Sequence, residues 1–318
     1  MTSPILAGSA VERLHEAHNR ILEQLSRVIV GQHQVVEELL ICLFSRGHCL
    51  LEGVPGLAKT LLISTLARSL DLSFSRIQFT PDLMPADIIG TDVLEEDRAT
   101  GSRQVRFLEG PLFANVVLAD EINRTPPRTQ AALLEAMQER TVTVEGKSHR
   151  LPDPFLVIAT QNPYEREGIY PLPESQLDRF LFKIDLDYCD VESEIEMLRL
   201  PHTGVTPDML GDIEALLGIV GLDNARRELD NTEVPRGVAE YIVSVVRKTR
   251  ENPGLEIGAS SRAAIHLLSA SKAQARLEGR ENVTSDDVRE MAPYVLRHRL
   301  ICRPGMTPDE ALALALGS

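Results

Sequence analysis

Tryptophan is absent from this chain, and aromatic residues make up only 4% of its 318 residues. So few rings argue against a single-stranded nucleic-acid binder, because such proteins stack bases on aromatic side chains. Positive charge is also scarce, since 33 Lys and Arg residues face 47 Asp and Glu residues. The resulting net charge of −14 argues against nucleic acid as a partner, because binding to phosphate backbones depends on clustered Lys and Arg.

Long apolar stretches are missing as well. Runs such as Leu39–Phe44 are far shorter than the roughly 20 residues that a membrane-spanning helix needs. The N-terminus has no basic region followed by an apolar run, so we expect no signal peptide and a cytoplasmic location. No Cys-x-x-Cys pair occurs, and we expect reduced thiols at Cys42, Cys49, Cys189 and Cys302.

Short apolar strands and helical patterns do alternate between residues 48 and 186. The predicted strands are His48–Glu52, Ser75–Phe79, Val116–Ala119, Phe155–Ala159 and Phe180–Leu186. Helical periodicity is clearest at Thr60–Ser69 and Thr129–Glu139. Strands separated by helices favour an α/β fold with a doubly wound parallel sheet.

Two insertions interrupt this alternation, and both are predicted to be β-hairpins that project from the sheet. Thr91–Phe107 has a turn at residues 99–101, and Thr141–Leu151 has one at residues 145–147. Beyond Tyr188 the strand signal ends and amphipathic helices follow, as at Val238–Val246 and Val288–Leu296. We therefore predict an α/β domain over residues 1–189 and a smaller all-α domain over residues 190–318.

A glycine-containing segment follows the first strand and opens the next helix. It reads Gly53-Val54-Pro55-Gly56-Leu57-Ala58-Lys59-Thr60. This is the pattern of a phosphate-binding loop, in which backbone N–H groups and a helix N-terminus surround phosphates. We expect Lys59 to reach the β- and γ-phosphates of a nucleotide and the Thr60 hydroxyl to bind Mg²⁺. Ala58 replaces the usual glycine, and we expect it to have a negative φ at the helix start.

Two acids end the third predicted strand, and an amide ends the fourth. We expect Asp120 to hold Mg²⁺ through water and Glu121 to orient and deprotonate an attacking water. Asn162 could hydrogen-bond both the γ-phosphate and that water, since ligands bind at the carboxyl ends of parallel strands. Each residue taken alone also has a simpler explanation: a solvated strand end for the acids, or a turn before Pro163 for the amide.

Two arginines complete the candidate site. Arg179 lies just before the last strand, where it could act as an arginine finger on a neighbour's nucleotide. An ion pair with Asp178 or Glu174 is the alternative for this residue. Arg262 begins a helix of the second domain and could place its guanidinium over the nucleotide, or it could be an ordinary surface arginine.

In this order, the five motifs resemble those of the AAA+ ATPases. Their amino-acid sequences resemble the MoxR family, and this resemblance extends from about Ile29 to Leu300. The segments that carry the resemblance are GVPGLAKT, LADEINRTPPRTQAALLEAMQER, ATQNP, YPLPESQLDRF and SSRAAIHLLSASKAQARLEGR. By resemblance, Asn162 is sensor 1, Arg179 is the finger and Arg262 is sensor 2. The hairpins correspond to the helix-2 insert and the pre-sensor-1 hairpin.

The resemblance also implies which residues contact the nucleotide, including a box beside the adenine at residues 30–32. The implied contacts are Gly31, Gln32, Gly53, Val54, Pro55, Gly56, Leu57, Ala58, Lys59, Thr60 and Leu61. ATP and Mg²⁺ are the implied cofactors, with Thr60 and Asp120 on the metal.

The function implied by the resemblance is an ATP-hydrolysing ring, a hexamer, that remodels or matures protein complexes like a chaperone. A protein with a von Willebrand factor A domain is an implied client. Two related functions stay open, a nucleic-acid motor or loader and a motor subunit for metal insertion. The hairpin residues Lys147, His149 and Arg150 favour nucleic acid, whereas the net charge opposes it. A module that binds ATP without hydrolysing it would have no need of Glu121.

Overall fold

A computed structural model describes residues 10–96, 103–165, 167–198 and 213–317. Its strands are β1 (Cys49–Gly53), β2 (Phe74–Gln78), β3 (Gly90–Glu96), β4 (Arg103–Glu109), β5 (Val116–Asp120), β6 (Thr141–Val144), β7 (Lys147–Arg150), β8 (Leu156–Gln161), β9 (Phe182–Leu186), β10 (Leu255–Ile257) and β11 (Ile301–Cys302). Its helices are α1 (Ala10–Ser26), α2 (His33–Phe44), α3 (Lys59–Ser69), α4 (Pro85–Ile89), α5 (Pro127–Glu139), α6 (Glu174–Leu177), α7 (Val191–Met197), α8 (Gly218–Asp230), α9 (Arg236–Glu251), α10 (Ser261–Leu277), α11 (Ser285–Leu296) and α12 (Pro308–Leu316).

Five strands form one parallel sheet in the order β2-β5-β8-β1-β9. Because every strand runs the same way, their carboxyl ends meet at one edge, which is where ligands bind in open α/β sheets. Gly53, Gln78, Asp120 and Gln161 all lie at this edge. The α/β fold with a parallel sheet is confirmed.

The sheet is buried on both faces, since successive strand residues point in opposite directions. In β1, Cys49 and Leu51 join a core that contains α1, α2, α3 and the helices after residue 217, whereas Leu50 joins a second core with α5. Leu118 and Val117 of β5 divide between the two cores in the same way. Helices on both faces are what a doubly wound sheet requires.

Both predicted hairpins are present. β3 pairs antiparallel with β4, and β6 pairs antiparallel with β7 through a turn at Glu145 and Gly146. The predicted turn of the first hairpin, at residues 99–101, lies outside the described residues. The hairpins touch each other, because the Phe107 ring stacks on the His149 ring with centroids 3.8 Å apart.

The second part of the chain is helical, from α8 to α12, with one correction. The sequence predicts only helices there, but β10 and β11 form a small antiparallel sheet. Strands of three and two residues are too short to show an alternating pattern. The predicted helix start at Thr284 is confirmed, since its side chain accepts from the Asp287 N–H in a capping box. No helix in the described ranges is long and apolar enough to cross a membrane.

Candidate active site

The phosphate loop connects β1 to α3 at the carboxyl edge of the sheet. Gly56 has a φ of +93°, and a Cβ built there would meet no atom within 4 Å, so this backbone faces open space. Ala58 has a φ of +51°, which corrects the expected negative value. The reason is that α3 begins at Lys59, so residue 58 is the cap before the helix and not its first residue. Ala58 therefore occupies a left-handed position that favours glycine.

Lys59 is folded back onto its own loop. Its Nζ donates to the Gly53 carbonyl oxygen at 2.6 Å. Burial lowers the pKa of Lys59, while the nearby charges of Asp120 and Glu121 oppose that shift. A partly desolvated ammonium group on the phosphate loop is well placed to bind the phosphates of a nucleotide.

Asp120 ends β5 and is held by two neighbours. Thr160 of β8 donates its hydroxyl to Asp120 Oδ1 at 2.7 Å, and Arg76 of β2 donates Nη2 to Oδ2 at 2.7 Å. The Thr160 oxygen also accepts the Glu121 N–H at 2.9 Å, and Thr160 is almost fully buried. One hydroxyl therefore fixes both acidic residues relative to the next strand.

Glu121 follows β5 in a left-handed conformation with a φ of +57°. Its Oε2 accepts Nε2 of Gln78 at 2.8 Å and Nη1 of Arg124 at 3.0 Å. Both donors therefore bind one oxygen of the carboxylate, Oε2. Oε1 receives neither of these two hydrogen bonds.

Asn162 lies in the cleft that the phosphate loop forms with Asp120 and Glu121, a cavity of about 380 Å³. Its Oδ1 accepts the Tyr164 N–H at 3.1 Å, which is the turn contact that the following proline suggests. Since the oxygen is used in the turn, the amide NH₂ group is the part of Asn162 that can donate to a phosphate or a water. The turn and the predicted functional role are therefore compatible.

Thr60 lines the same cleft as Asp120, so the two predicted metal ligands share one cavity. Mg²⁺ commonly takes one or two protein oxygens, with phosphates and waters as its other ligands. A hydroxyl and a carboxylate beside a phosphate loop fit that requirement. Of the expected nucleotide contacts, Val54 and Gly31 line neither this cleft nor the adjoining apolar pocket.

An apolar pocket of about 370 Å³ adjoins the loop. The residues that form its wall include Val28, Ile29, Val30, Gln32, Pro55, Leu57, Leu61, Tyr188, Cys189 and Met197. Gln32 is buried, and its Oε1 has no hydrogen-bond partner in the described ranges. An apolar pocket with one unpaired amide oxygen suits a base with an exocyclic amino group, such as adenine.

Gly31 shapes this pocket without lining it. Its φ is +75°, and a Cβ there would lie 2.7 Å from Cys189 Sγ. Any other residue would therefore push apart the segments around residues 31 and 189.

The two predicted arginines lie elsewhere. Arg179 and Arg262 line a separate cleft of about 430 Å³, together with Gly47, His48 and the end of α5. Gly47 and His48 precede β1, whereas the phosphate loop follows it, so the two sites are on opposite edges of the sheet. Five strand residues separate them by roughly 15 Å. Arg262 therefore does not lie over the phosphate cleft of its own subunit, which corrects the expectation that it lies over the nucleotide there.

Arg179 forms an ion pair with neither Asp178 nor Glu174, the two partners that the sequence offered for it. Asp178 accepts Arg299 Nε at 2.8 Å and lies 3.5 Å from Arg262 Nη1, and Glu174 forms no ion pair with Arg179. Within the described ranges, the Arg179 side chain has no ion pair or hydrogen bond. A partly exposed, unpaired guanidinium is available to bind an anion from outside the subunit.

Two of the three basic residues of the second hairpin have contacts within the protein, whereas Arg150 is exposed. His149 stacks on Phe107, and Lys147 Nζ lies 4.0 Å from the buried carboxylate of Asp92. These contacts weaken the one observation that favoured nucleic acid.

Arg76, Gln78, Thr160 and Arg124 were not singled out by the sequence. Gln78 is the last residue of β2 and Thr160 the last but one of β8, the strands on either side of β5, so their role depends on the strand order β2-β5-β8. The signal available in the sequence was their position at predicted strand ends.

Comparison with known proteins agrees with this geometry. Residues 48–182 match the family described as "ATPase family associated with various cellular activities (AAA)", and residues 247–313 match the "AAA lid domain".

Similar proteins cover nearly the whole chain. Chaperone MoxR1 of Mycobacterium tuberculosis is 44% identical over 95% of this chain and 81% of its own length. Protein YeaC of Bacillus subtilis is 43% identical over 92% of this chain and 89% of its own length. The solved structure of a protein from Cytophaga hutchinsonii is similar with a TM-score of 0.88 and 39% identity, covering 97% of this chain and 96% of that one.

Proposed function

Since the chain belongs to the MoxR family of AAA+ ATPases, we propose that it hydrolyses ATP to ADP and phosphate as a subunit of a ring. The observation that carries this proposal is the single cleft shared by Lys59, Thr60, Asp120, Glu121 and Asn162. The adjoining apolar pocket supplies the place for adenine.

Within the cleft, each side chain has a separate task. Thr60 and Asp120 would hold Mg²⁺, whose charge stabilises the phosphate oxygens. Lys59 would leave the Gly53 carbonyl to bind the β- and γ-phosphates. Glu121 would take the proton of the attacking water on Oε1 while Oε2 stays hydrogen-bonded to Gln78 and Arg124.

The ring is proposed because neither Arg179 nor Arg262 lines the phosphate cleft of its own subunit, where Arg76 is already paired with Asp120. Arg179 and Arg262 lie at the opposite edge of the sheet, together in one cleft. A heterologous ring would bring this arginine cleft against the phosphate cleft of the next subunit. The two guanidinium groups would then stabilise the negative charge that develops on the transferred phosphoryl group.

We further propose that ATP turnover in a hexamer drives chaperone-like remodelling of protein complexes. The name of the relative Chaperone MoxR1 and the two projecting hairpins support this role. A protein with a von Willebrand factor A domain is the proposed client. We propose that residues 1–189 form the nucleotide-binding domain and residues 190–318 form the lid.

Two variants test the catalytic assignment. Glu121→Gln should bind ATP normally but lose at least about 10²-fold in turnover, because an amide cannot accept the proton. Asp120→Asn should instead raise the Mg²⁺ concentration needed for half-maximal activity. Phosphate release and binding of a fluorescent ATP analogue are measured for both. Normal hydrolysis by both variants would show that these acids are not the catalytic pair.

A further inference from the structure

Arg299 connects the lid to the segment that carries Arg179. It ends a 3₁₀ turn after α11, and its side chain is only 2% exposed. Nε donates to Asp178 Oδ1 at 2.8 Å, and the Nη groups donate to the carbonyl oxygens of Asp178, Phe180 and Leu181. Residues on both sides of Arg179 are therefore held by one guanidinium group.

The surroundings of Arg299 fit a charged guanidinium. His266 Nδ1 accepts from Arg299 Nη2 at 2.7 Å, which requires a neutral ring. Burial and the charge of Arg299 lower the pKa of His266 to about 3, so the ring is neutral at physiological pH. Burial lowers the pKa of Arg299 to about 10, which leaves it protonated. His298 donates Nε2 to the Phe180 carbonyl at 3.2 Å and holds the same segment.

Asp178 joins Arg299 to the second arginine of the cleft. Its Oδ2 lies 3.5 Å from Arg262 Nη1, and its carboxylate accepts the Ser260 hydroxyl at 3.2 Å. The Asp178 carboxylate is thus paired with Arg299 and Arg262 and forms no ion pair with the neighbouring Arg179. Arg179 is left available, and Arg262 is held beside it.

We propose that Asp178 and Arg299 are positioning residues that hold Arg179 and Arg262 toward the nucleotide of the adjacent subunit. This inference rests on the proposed function, because it requires an arginine cleft that acts on a neighbour. Neither residue touches the nucleotide. Their loss should therefore reduce the rate of hydrolysis without changing how the same subunit binds ATP.

The first test is Asp178→Asn, which keeps the shape of the side chain and removes its charge. Turnover should fall at least about tenfold, whereas the KM for ATP and the affinity for a fluorescent ATP analogue should change less than about threefold. Asp287→Asn is the matched control, since this buried acid of α11 pairs with Arg280 away from the cleft. Its turnover should stay near that of the original protein.

Mixing locates the defect. Lys59→Ala has no working phosphate loop but an intact arginine cleft, so it should restore activity to Asp178→Asn when the two proteins are combined. Arg179→Ala mixed with Lys59→Ala serves as the reference pair. If the reference pair recovers and the Asp178→Asn pair does not, Asp178 acts within its own subunit and the inference is wrong, while the ring proposal stands. If neither pair recovers, the ring proposal itself fails, and this inference fails with it.

Arg299→Lys provides the second test. Lysine keeps the charge but cannot span the carboxylate and the three carbonyl groups, so turnover should fall with the same unchanged ATP affinity. Normal turnover in a folded Arg299→Lys protein would contradict the positioning role. Where this variant fails to fold, Asp178→Asn decides the matter by itself.

Discussion

Replacing Ala58 by glycine should stabilise this protein. Ala58 has a φ of +51° and a ψ of 28°, the left-handed conformation. This conformation costs a residue with a Cβ about 1–2 kcal/mol, and glycine does not incur that cost. Glycine also gives the unfolded chain more freedom, which offsets about 0.4–1 kcal/mol of the gain. Ala58→Gly should therefore raise the free energy of unfolding by about 0.5–1 kcal/mol.

Ala131→Gly is the matched control, since Ala131 is an exposed residue inside α5. Glycine inside a helix lowers stability by about 1 kcal/mol relative to alanine, so the two substitutions should have opposite signs. Urea unfolding without nucleotide, followed by circular dichroism, measures both changes. Equal destabilisation by both variants would refute the left-handed geometry and place residue 58 inside the helix.

Three further predictions concern the cleft and the core. Lys59→Ala should abolish measurable ATP binding, because each charge-assisted hydrogen bond to phosphate contributes about 1.5–3 kcal/mol; near-normal affinity in a binding titration would contradict the phosphate-loop assignment. Thr160→Val should lower stability by about 1–3 kcal/mol and weaken the response to Mg²⁺, since the Glu121 N–H loses its acceptor, whereas Thr160→Ser should behave normally in the same denaturation and ATPase assays. Burial lowers the pKa of His48 to about 4, below the ordinary 6.5. The neutral ring therefore contributes fully to the free energy of unfolding above pH 6.5, and this contribution is lost as the pH falls toward 4. Between pH 7.5 and 5, the original protein should lose about 2 kcal/mol more stability than His48→Asn, and an equal loss in both would contradict a buried neutral ring.

The sequence predicts those parts of the site whose residues are neighbours along the chain. The phosphate loop, the two acids and the amide each end a predicted strand, and parallel strands bring their ends together whatever their order. Asn162 and Asp120 could therefore be assigned to one edge before the structure was known. The contacts of Gln78 and Thr160 could not, because they depend on which strands flank β5.

The conformation of Ala58 and the position of Arg262 could not be predicted from the sequence pattern. The φ of Ala58 follows from the helix beginning one residue later, at Lys59, and boundaries are the least certain part of a pattern. For Arg262 the sequence left two positions open, over the nucleotide or on the surface, because the direction of the helix that it begins is set by tertiary packing. Arg299 gave no signal at all, since an arginine in a basic stretch usually lies on the surface.

The central claim is that each active site is completed by the next subunit, and mixing two inactive variants tests it most directly. Arg179→Ala retains the phosphate cleft, and Lys59→Ala retains the arginine cleft. Mixed rings contain interfaces at which an intact phosphate cleft faces an intact Arg179. ATPase activity should return on mixing and rise with protein concentration, while each variant alone stays inactive. Full activity of dilute monomer, with no recovery in any mixture, would contradict the claim.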